Sequence, residues 1–543
     1  MEETVPVVGR VNAGWTATFF SRARVKALPV TDCGIALSSA LLLILSFPDF
    51  NLWPLAWIGL VPLFLVIAHR PIAWRAFFFG WLFGSVFFYG SCYWLTYSMV
   101  HYGGLAVWAS YLLLVPAVLT VGIFPAIFAF LLAGGIKRWG LRGLVLAPFV
   151  WVTLEATRLA VTGQLWNALG YSQAFRPGLI QAASWGGVYA VGFLIVSANT
   201  AVAFAVLRRS WQAWGISLSV VTSVVLLILA SSFFSRQQSS RGGTPDLLVI
   251  ALQPNVPMEP AKSTEEMQEL VSRHLEMSEM ALGQVTVPAV PRLVIWPESP
   301  MNFSYANDSR FRELLARFAA TNNTSVLFNS LEPAPNDGSY NSALLVNQKG
   351  QRIAQYDKIR LLPFGEYVPL PRWLPGARLI GSIVGDFTPG SKYSLMPVGS
   401  VRAGVFICIE SAYPSIAQTL SAEGADVLIN ISNDGYLGRT AVMRQHLANS
   451  VFRAVENGKP LLRVTNTGIS AYITSQGEVK DATGGFQRAV RTWTLSRTDG
   501  RRTLYTKYGD VFVTICALVT LFLLGISLAS WKQNIKTQET RTN

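Results

Sequence analysis

A cysteine stands where a short apolar stretch of the chain meets polar residues. The segment Val401–Tyr413 reads V-R-A-G-V-F-I-C-I-E-S-A-Y, and its apolar part Gly404–Ile407 predicts a buried strand that ends at Cys408. A side chain at a strand end is held by a rigid scaffold and still faces open space, and a cysteine sulfur is a strong nucleophile once deprotonated. A lone cysteine after an apolar strand is more often a core residue, so this stretch alone leaves both interpretations open.

Two carboxylates and a lysine occupy similar positions elsewhere in the chain. The apolar run L-V-I-W-P at 293–297 is followed by Glu298, while Lys358 and Glu366 share one irregular loop. Each of these charged residues alone is most often solvated surface. Together with Cys408 they suit acyl transfer, because a glutamate can take the thiol proton and a lysine can stabilise the oxyanion that forms when sulfur attacks a carbonyl.

The elements that must position these residues follow a strand and helix alternation across 246–500. Strands are predicted at Leu247–Leu252, Leu293–Trp296, Ser325–Asn329, Ser342–Val346, Gly404–Ile407, Val427–Ile431 and Leu461–Thr465. Helices are predicted at Ser263–Leu282, Arg310–Ala319, Tyr413–Glu423 and Ala441–Asn457. Apolar strands separated by helices indicate a layered α/β domain, and a segment of this length can bury one core.

The rest of the chain has the composition of a membrane protein. Of the 543 residues, 51% are hydrophobic and only 14% charged, and the mean hydropathy is +0.37. Apolar runs of roughly bilayer length predict seven spans within 33–234 and an eighth at 511–530. The seven are 33–48, 52–68, 76–99, 105–134, 143–163, 186–207 and 214–234. A polar, Gly/Ser-rich linker at 235–245 separates them from the α/β domain.

The basic residues predict the orientation of these spans. Tails at 1–32 and 531–543 and alternate short loops carry most of the basic residues near the spans, which places those parts in the cytoplasm by the positive-inside rule. The α/β domain then lies on the outer face, which in a bacterium is the periplasm. The net charge of +14 fits this topology and not nucleic-acid binding, since no basic stripe with interleaved aromatics is present.

Three motifs in matching chain order resemble the nitrilase superfamily. They are W-P-E at 296–298, D-K-x-x-L-x-P-F-G-E at 357–366 and C-x-E at 408–410. With eight spans around them, W-x-x-L-G-Y-S-Q at 166–173 and S-N-D at 432–434, nearly the whole chain resembles the bacterial apolipoprotein N-acyltransferase family. The resemblance implies an α-β-β-α sandwich embedded next to the bacterial inner membrane.

The resemblance also implies the roles of the matching residues. Glu298 would be the general base, Lys358 the oxyanion-stabilising cation and Cys408 the nucleophile, with Glu366 and Glu410 as supporting carboxylates. Cys408 would take an acyl chain from a phospholipid and pass it to the amine of a lipoprotein's diacylglyceryl-cysteine. Neither a cofactor nor a metal is expected, because an amine opens a thioester readily.

The sequence departs from the family at two places, and several residues carry weaker predictions. A tryptophan expected soon after Pro257 is replaced by the segment 260–262, and Ile409 stands where an aromatic is common. Other residues are candidates for substrate or lipid contact, or for a structural role: Trp166, Tyr171, Asn433 and Asp434, with Glu155 and Arg158 as an intramembrane pair. The histidines His274 and His446 are interpreted as surface or helix-face residues. The alternative function is a membrane-tethered amidase that uses the same triad on a small amide.

Overall fold

A computed structural model describes residues 30–542 apart from 164, 239–244, 259–262, 286–289, 299–302, 336–337, 364, 368–386 and 498–499. The side chains of 236–238, 264 and 527–542 are also outside the description. The departure at 260–262, most of the linker and most of the N-terminal tail therefore lie outside the described residues.

The N-terminal part is helical, as the apolar runs predict. Its helices are Val30–Ser46, Val61–His69, Ala73–Ser91, Leu95–His101, Val107–Val121, Ile123–Trp139, Ala147–Thr162, Pro177–Ile180, Ala183–Arg208 and Trp211–Gln238, with short 3₁₀ turns at Trp53–Trp57, Gly140–Leu146 and Leu169–Gln173. The chain ends in one more helix, Val511–Thr542. We call residues 30–238 together with this last helix the membrane domain.

The predicted count of eight spans is not confirmed. Among the described residues, three helical segments are long and apolar enough to cross a bilayer, and the pair Ala73–Ser91 and Leu95–His101, bent by 54°, makes a fourth if it is one span. The three are Val107–Thr162, Ala183–Arg208 and Trp211–Ser235. The first of them takes in two predicted spans, and the apolar helices Val30–Ser46, Trp53–His69 and Val511–Ile526 have at most 17 residues, short for a bilayer crossing.

The second half of the chain forms two six-stranded sheets. The strands are β1 Leu247–Gln253, β2 Arg292–Ile295, β3 Ser325–Pro333, β4 Ser339–Val346, β5 Arg352–Asp357, β6 Leu395–Val398, β7 Val401–Ile407, β8 Val427–Ser432, β9 Leu461–Thr465, β10 Ala471–Ile473, β11 Val479–Lys480 and β12 Ala489–Leu495. One sheet has the order β12-β1-β2-β3-β4-β5 and the other β11-β10-β9-β8-β7-β6. The central strands β1-β2-β3 and β7-β8-β9 are parallel, with antiparallel strands outside them.

Apolar residues on both faces of the central strands explain the four-layer architecture. Along β1, Val249 and Ala251 pack into a core shared with the second sheet, while Ile250 and Leu252 pack against outer helices. The outer helices of the domain are Thr264–Gly283, Ser309–Thr321, Pro414–Ala422 and Val442–Asn457, followed by the short helix Leu504–Tyr508. The predicted α-β-β-α sandwich is therefore present, and all seven predicted strands and four predicted helices occur, with shifted ends in every case but Leu461–Thr465.

Helix Val442–Asn457 is buried between the sandwich and the membrane domain. All but two of its side chains are buried, which its amphipathic sequence does not predict. Opposite it, the helix Ala183–Arg208 is kinked at Gly186 and Gly187, where a φ of +68° at Gly187 suits only glycine. The two parts of the chain therefore share one buried interface.

Candidate active site

Cys408 lies on a sharp turn at the carboxyl end of β7. Its φ is +53°, a left-handed conformation that costs a non-glycine residue about 1–2 kcal/mol, and a 3₁₀ turn Cys408–Ala412 follows. The Cys408 carbonyl accepts hydrogen bonds from His446 Nε2 at 2.9 Å and from Asn430 Nδ2 at 3.3 Å. The strained turn is thus fixed by its neighbours and delivers a half-buried thiol to the sheet edge.

Lys358 joins the two predicted carboxylates beside this turn. Its Nζ lies 2.8 Å from Glu366 Oε1 and 3.4 Å from Glu298 Oε1, and only 1% of its side chain is exposed. Glu298 follows β2 and Lys358 follows β5, so the strand ends bring together residues 60 positions apart in the chain. Glu366 also accepts a hydrogen bond from the Leu362 N–H at 2.7 Å, which closes the loop between lysine and glutamate.

Asn341 completes this cluster and was missed by the sequence analysis. Its Nδ2 donates to Glu298 Oε1 at 3.0 Å and to Glu366 Oε1 at 2.7 Å, and its Oδ1 accepts from Asn329 Nδ2 at 2.7 Å. The available signal was the polar stretch at the start of strand β4, which becomes apolar only from Ala343. These hydrogen bonds keep the carboxylates of Glu298 and Glu366 next to Lys358. Because the Asn341 amide is neutral, it does not change the net charge of the cluster.

Burial and the charges of the cluster together determine the protonation state of the Cys408 thiol. Burial and the charge of Glu298 raise the pKa of Cys408, while Lys358 opposes them, so the resting group is a thiol. Burial alone would lower the pKa of Lys358, but Glu298 and Glu366 hold it well above its usual range. The site therefore combines a buried cation, a neutral thiol and the two carboxylates of Glu298 and Glu366.

Glu410 anchors the backbone around the site. Its Oε1 accepts hydrogen bonds from the N–H groups of Ile359 at 2.8 Å and Arg360 at 3.0 Å, and its Oε2 accepts one from the Ile407 N–H at 2.7 Å. The Tyr356 hydroxyl lies 2.9 Å from both oxygens. Burial raises the pKa of Glu410 to about 7, against the opposing effect of these backbone N–H groups. Glu410 thus links the loop that follows Lys358 to the turn at Cys408, which we call the cysteine turn.

Asp434 belongs to a buried network behind Cys408. It pairs with Arg463 Nη2 at 2.9 Å and with His446 Nδ1 at 2.9 Å. Burial alone would raise the pKa of Asp434, but Arg463 and His446 hold it well below its usual range. The neighbouring Asn433 accepts a hydrogen bond from the Gly435 N–H at 3.1 Å and donates one to the Met258 sulfur at 2.9 Å. Lipid contact by Asn433 and Asp434 stays a prediction.

Trp166 and Tyr171 face the sandwich domain. Trp166 Nε1 donates to Gln445 Oε1 at 2.8 Å, and the Tyr171 hydroxyl accepts from Arg453 Nη2 at 3.2 Å. Both aromatic side chains are buried in the structure. Their structural role is clear, and a role in substrate or lipid contact is a prediction.

The remaining weaker candidates are buried as well. Glu155 accepts a hydrogen bond from the Leu169 N–H at 2.8 Å, and Arg158 donates to the Trp166 carbonyl at 2.9 Å. His274 and His446 both lie on helices, but their interpretation as surface residues was wrong, since each is at most 3% exposed. The helix of His446 packs on both sides, and a helical pattern by itself reveals only one buried face. His274 lies on the one buried face of helix Thr264–Gly283, in line with Leu270 and Ser278.

Two apposed sheets that carry a glutamate, a lysine and a cysteine at one end define a nitrilase-like domain, here joined to a membrane domain. Sequence models of two families match the chain: the apolipoprotein N-acyltransferase N-terminal domain over residues 39–201 and carbon-nitrogen hydrolase over 250–504. An apolipoprotein N-acyltransferase of Geobacter metallireducens is 34% identical over 90% of this chain and 94% of its own length. One from Pasteurella multocida is 28% identical over 90% of this chain and 94% of its own.

The chain belongs to the apolipoprotein N-acyltransferase family, and it is an acyltransferase and a membrane protein. Among solved structures, an amidase from Nesterenkonia sp. aligns with 51% of this chain and 98% of its own at 16% identity, with a TM-score of 0.37. The family assignment is independent of that alignment.

Proposed function

We propose that this protein moves an acyl chain from a membrane phospholipid to the N-terminal amine of diacylglyceryl-cysteine in lipoproteins, through a thioester on Cys408. The family supplies the reaction class. The observation that carries the residue assignment is the buried Lys358, which bridges Glu298 and Glu366 and acts with Glu298 on the Cys408 thiol.

In the first half-reaction the Cys408 sulfur attacks the ester carbonyl of the phospholipid. Glu298 takes the thiol proton during the attack, because the pKa of Cys408 is raised by burial and free thiolate is scarce. Lys358 stabilises the negative charge that develops on the carbonyl oxygen. When the ester C–O bond breaks, Glu298 returns the proton to the departing oxygen, and lysophospholipid leaves.

In the second half-reaction the neutral α-amine of the lipoprotein attacks the thioester. Lys358 again stabilises the oxyanion, Glu298 accepts one proton from the attacking nitrogen, and the C–S bond breaks. The proton then returns to the sulfur, which restores the thiol and leaves an amide on the lipoprotein. The donor ester and the thioester supply the driving force, so these two steps use no external energy source.

The direct test is intact mass measurement of the purified full-length protein after incubation with phospholipid vesicles. We expect one added acyl mass, removed by hydroxylamine, in the wild type and in the control variant Cys516→Ala, which lacks a different buried thiol. Cys408→Ala should carry no adduct, and Glu298→Gln should form it far more slowly. An adduct on Cys408→Ala would refute the nucleophile assignment, and a normal yield in Glu298→Gln would refute the base assignment.

The same test separates the proposal from the amidase alternative. Addition of a diacylated lipopeptide should clear the adduct and yield an N-acylated peptide. If the adduct forms only with small amides and is cleared by water alone, the protein is an amidase.

We further propose that the sandwich domain lies on the periplasmic face of the bacterial inner membrane, as the distribution of basic residues favours. After hydroxylamine treatment of intact spheroplasts, a membrane-impermeant thiol reagent should label Cys408. The thiols of Cys33, Cys92 and Cys516 should stay unlabelled. Labelling of Cys408 only after membrane disruption would place the domain in the cytoplasm.

A further inference from the structure

Two adjacent residues of helix Val442–Asn457 point into different parts of the protein. Gln445 reaches the membrane domain, and His446 reaches the backbone of Cys408. Both side chains are nearly inaccessible, with exposed fractions of 4% and 3%. Because they are consecutive on one rigid helix, a displacement of one carries the other with it.

Gln445 has all its amide bonding capacity taken up by the membrane domain. Its Oε1 accepts from Trp94 Nε1 at 3.1 Å and from Trp166 Nε1 at 2.8 Å. Its Nε2 donates to the Pro48 carbonyl at 3.1 Å and the Ser91 carbonyl at 3.0 Å. A glutamine amide offers two donors and two acceptor positions, so these four bonds fix it fully.

His446 lies between Asp434 and the nucleophile. Its Nε2 is 2.9 Å from the Cys408 carbonyl, and its Nδ1 is 2.9 Å from Asp434 Oδ1. A carbonyl can only accept, so Nε2 carries a proton whatever the charge of the ring. Arg463 holds the Asp434 carboxylate from the other side, and the ring of Trp166 lies 5.5 Å from the imidazole ring. The imidazole is therefore held on three sides.

The Cys408 backbone needs such a restraint. A positive φ at a cysteine is strained and persists only when the surroundings determine it. Two turns further along the same helix, Arg453 donates to the Ser411 carbonyl at 3.3 Å while it contacts the Tyr171 hydroxyl of the membrane domain. Glu456 Oε1 accepts a hydrogen bond from the Val188 N–H at 2.9 Å, one residue after the helix kink at Gly187. Helix Val442–Asn457 thus contacts both the membrane domain and the turn at Cys408, first through Gln445 and His446 and again, two turns later, through Arg453.

We propose that His446 is a positioning residue that fixes the Cys408 backbone for attack, and that the membrane domain sets its position through Gln445. This inference rests on the proposed function, since it takes Cys408 as the nucleophile. It implies that the membrane domain takes part in assembling the active site in addition to anchoring it.

The test compares substitutions at His446 in the full-length protein. His446→Leu removes the donor and is expected to slow single-turnover acylation by about 10- to 100-fold, because small misplacements of a nucleophile cost that much. The apparent KM for phospholipid should change less than about twofold by the same reasoning. His446→Gln places an amide N–H near the Nε2 position and should recover the rate to within about threefold. The control is His274→Leu, at the other buried histidine, which should acylate normally.

A second pair of variants tests the link to the membrane domain. Gln445→Leu breaks all four contacts and is expected to slow acylation about tenfold. Gln181→Leu serves as control, since Gln181 also joins the two parts of the chain, through the Gln476 carbonyl at 2.8 Å, away from Cys408. If His446→Leu fails to fold, His446→Asn replaces it, because asparagine restores a donor near Nδ1 only and should remain slow where His446→Gln is fast.

The results separate this inference from the proposed function. Wild-type acylation rates in His446→Leu, or equal losses in the His274 control, would overturn the role of His446. Normal acylation in Gln445→Leu would overturn the link to the membrane domain. Absence of any acyl adduct in the wild type would instead overturn the proposed function.

Discussion

Substitution of Glu410 by glutamine tests whether the site depends on one buried carboxylate that is not itself at the thiol. Glu410 accepts three backbone N–H groups and one hydroxyl, all of which are donors. Glutamine has the same shape, but one of its two terminal groups is an NH₂ donor. In either amide orientation a donor therefore faces a donor.

The geometry gives the size of the effect. The better orientation keeps the side-chain oxygen on Ile359 and Arg360 and turns the NH₂ toward the Ile407 N–H, so the 2.7 Å bond to Ile407 is lost. A buried N–H left without a partner costs about 1–3 kcal/mol. We expect the lost bond to destabilise the native conformation of the cysteine turn by about 2 kcal/mol. If Cys408 attacks only from that conformation, this free energy adds to the activation barrier and slows acylation roughly thirtyfold. Glu410→Ala leaves more donors unpaired and should cost more than about 3 kcal/mol.

Single-turnover acylation followed by intact mass, together with thermal unfolding in detergent, measures both effects. The control is Glu332→Gln, because Glu332 is an equally buried carboxylate that binds Ser330 and Arg352 and not the cysteine turn. We expect the control to acylate at the wild-type rate. Wild-type acylation in Glu410→Gln, or a smaller loss in Glu410→Ala than in Glu410→Gln, would refute the reasoning.

Three further predictions concern the same domain. Asn341→Asp should slow acylation at least about a hundredfold at pH 7, since it sets a third carboxylate against Glu298 and Glu366, and an unchanged single-turnover rate would contradict this. Lys358→Arg should also lose acylation, because a planar guanidinium does not fit the space of a buried ammonium; retained activity would count against a point-charge role. Burial lowers the pKa of His274 from 6.5 to about 4, so its neutral form stabilises the fold above pH 6.5 and this stabilisation is lost as the pH falls toward 4. Denaturant unfolding should therefore show about 2 kcal/mol less loss of stability between pH 7.5 and pH 5 in His274→Phe than in the wild type, and equal losses would contradict the assignment.

The sequence was sufficient to predict the central strands and the residues at their ends. The run Leu247–Leu252 is apolar on both faces and Val427–Ile431 is apolar except for Asn430, which is typical of strands covered on both sides. Five strands were missed because their patterns are weak. In β5, for example, Arg352 is exposed and only Tyr356 is fully buried. The predicted count of eight spans was not confirmed, because hydropathy does not reveal where a helix bends or ends.

The tertiary structure alone showed which further polar residues join the group that the sequence predicted. Gln445 meets Pro48 across 397 positions of sequence, and Asn341 reaches Glu298 across 43, so no local pattern could have joined them. His446 had the sequence signature of an ordinary helix residue, because its partners come from three other elements. Periodicity reports whether a residue faces the core of its own element, whereas hydrogen bonds between buried polar groups depend on how distant elements pack.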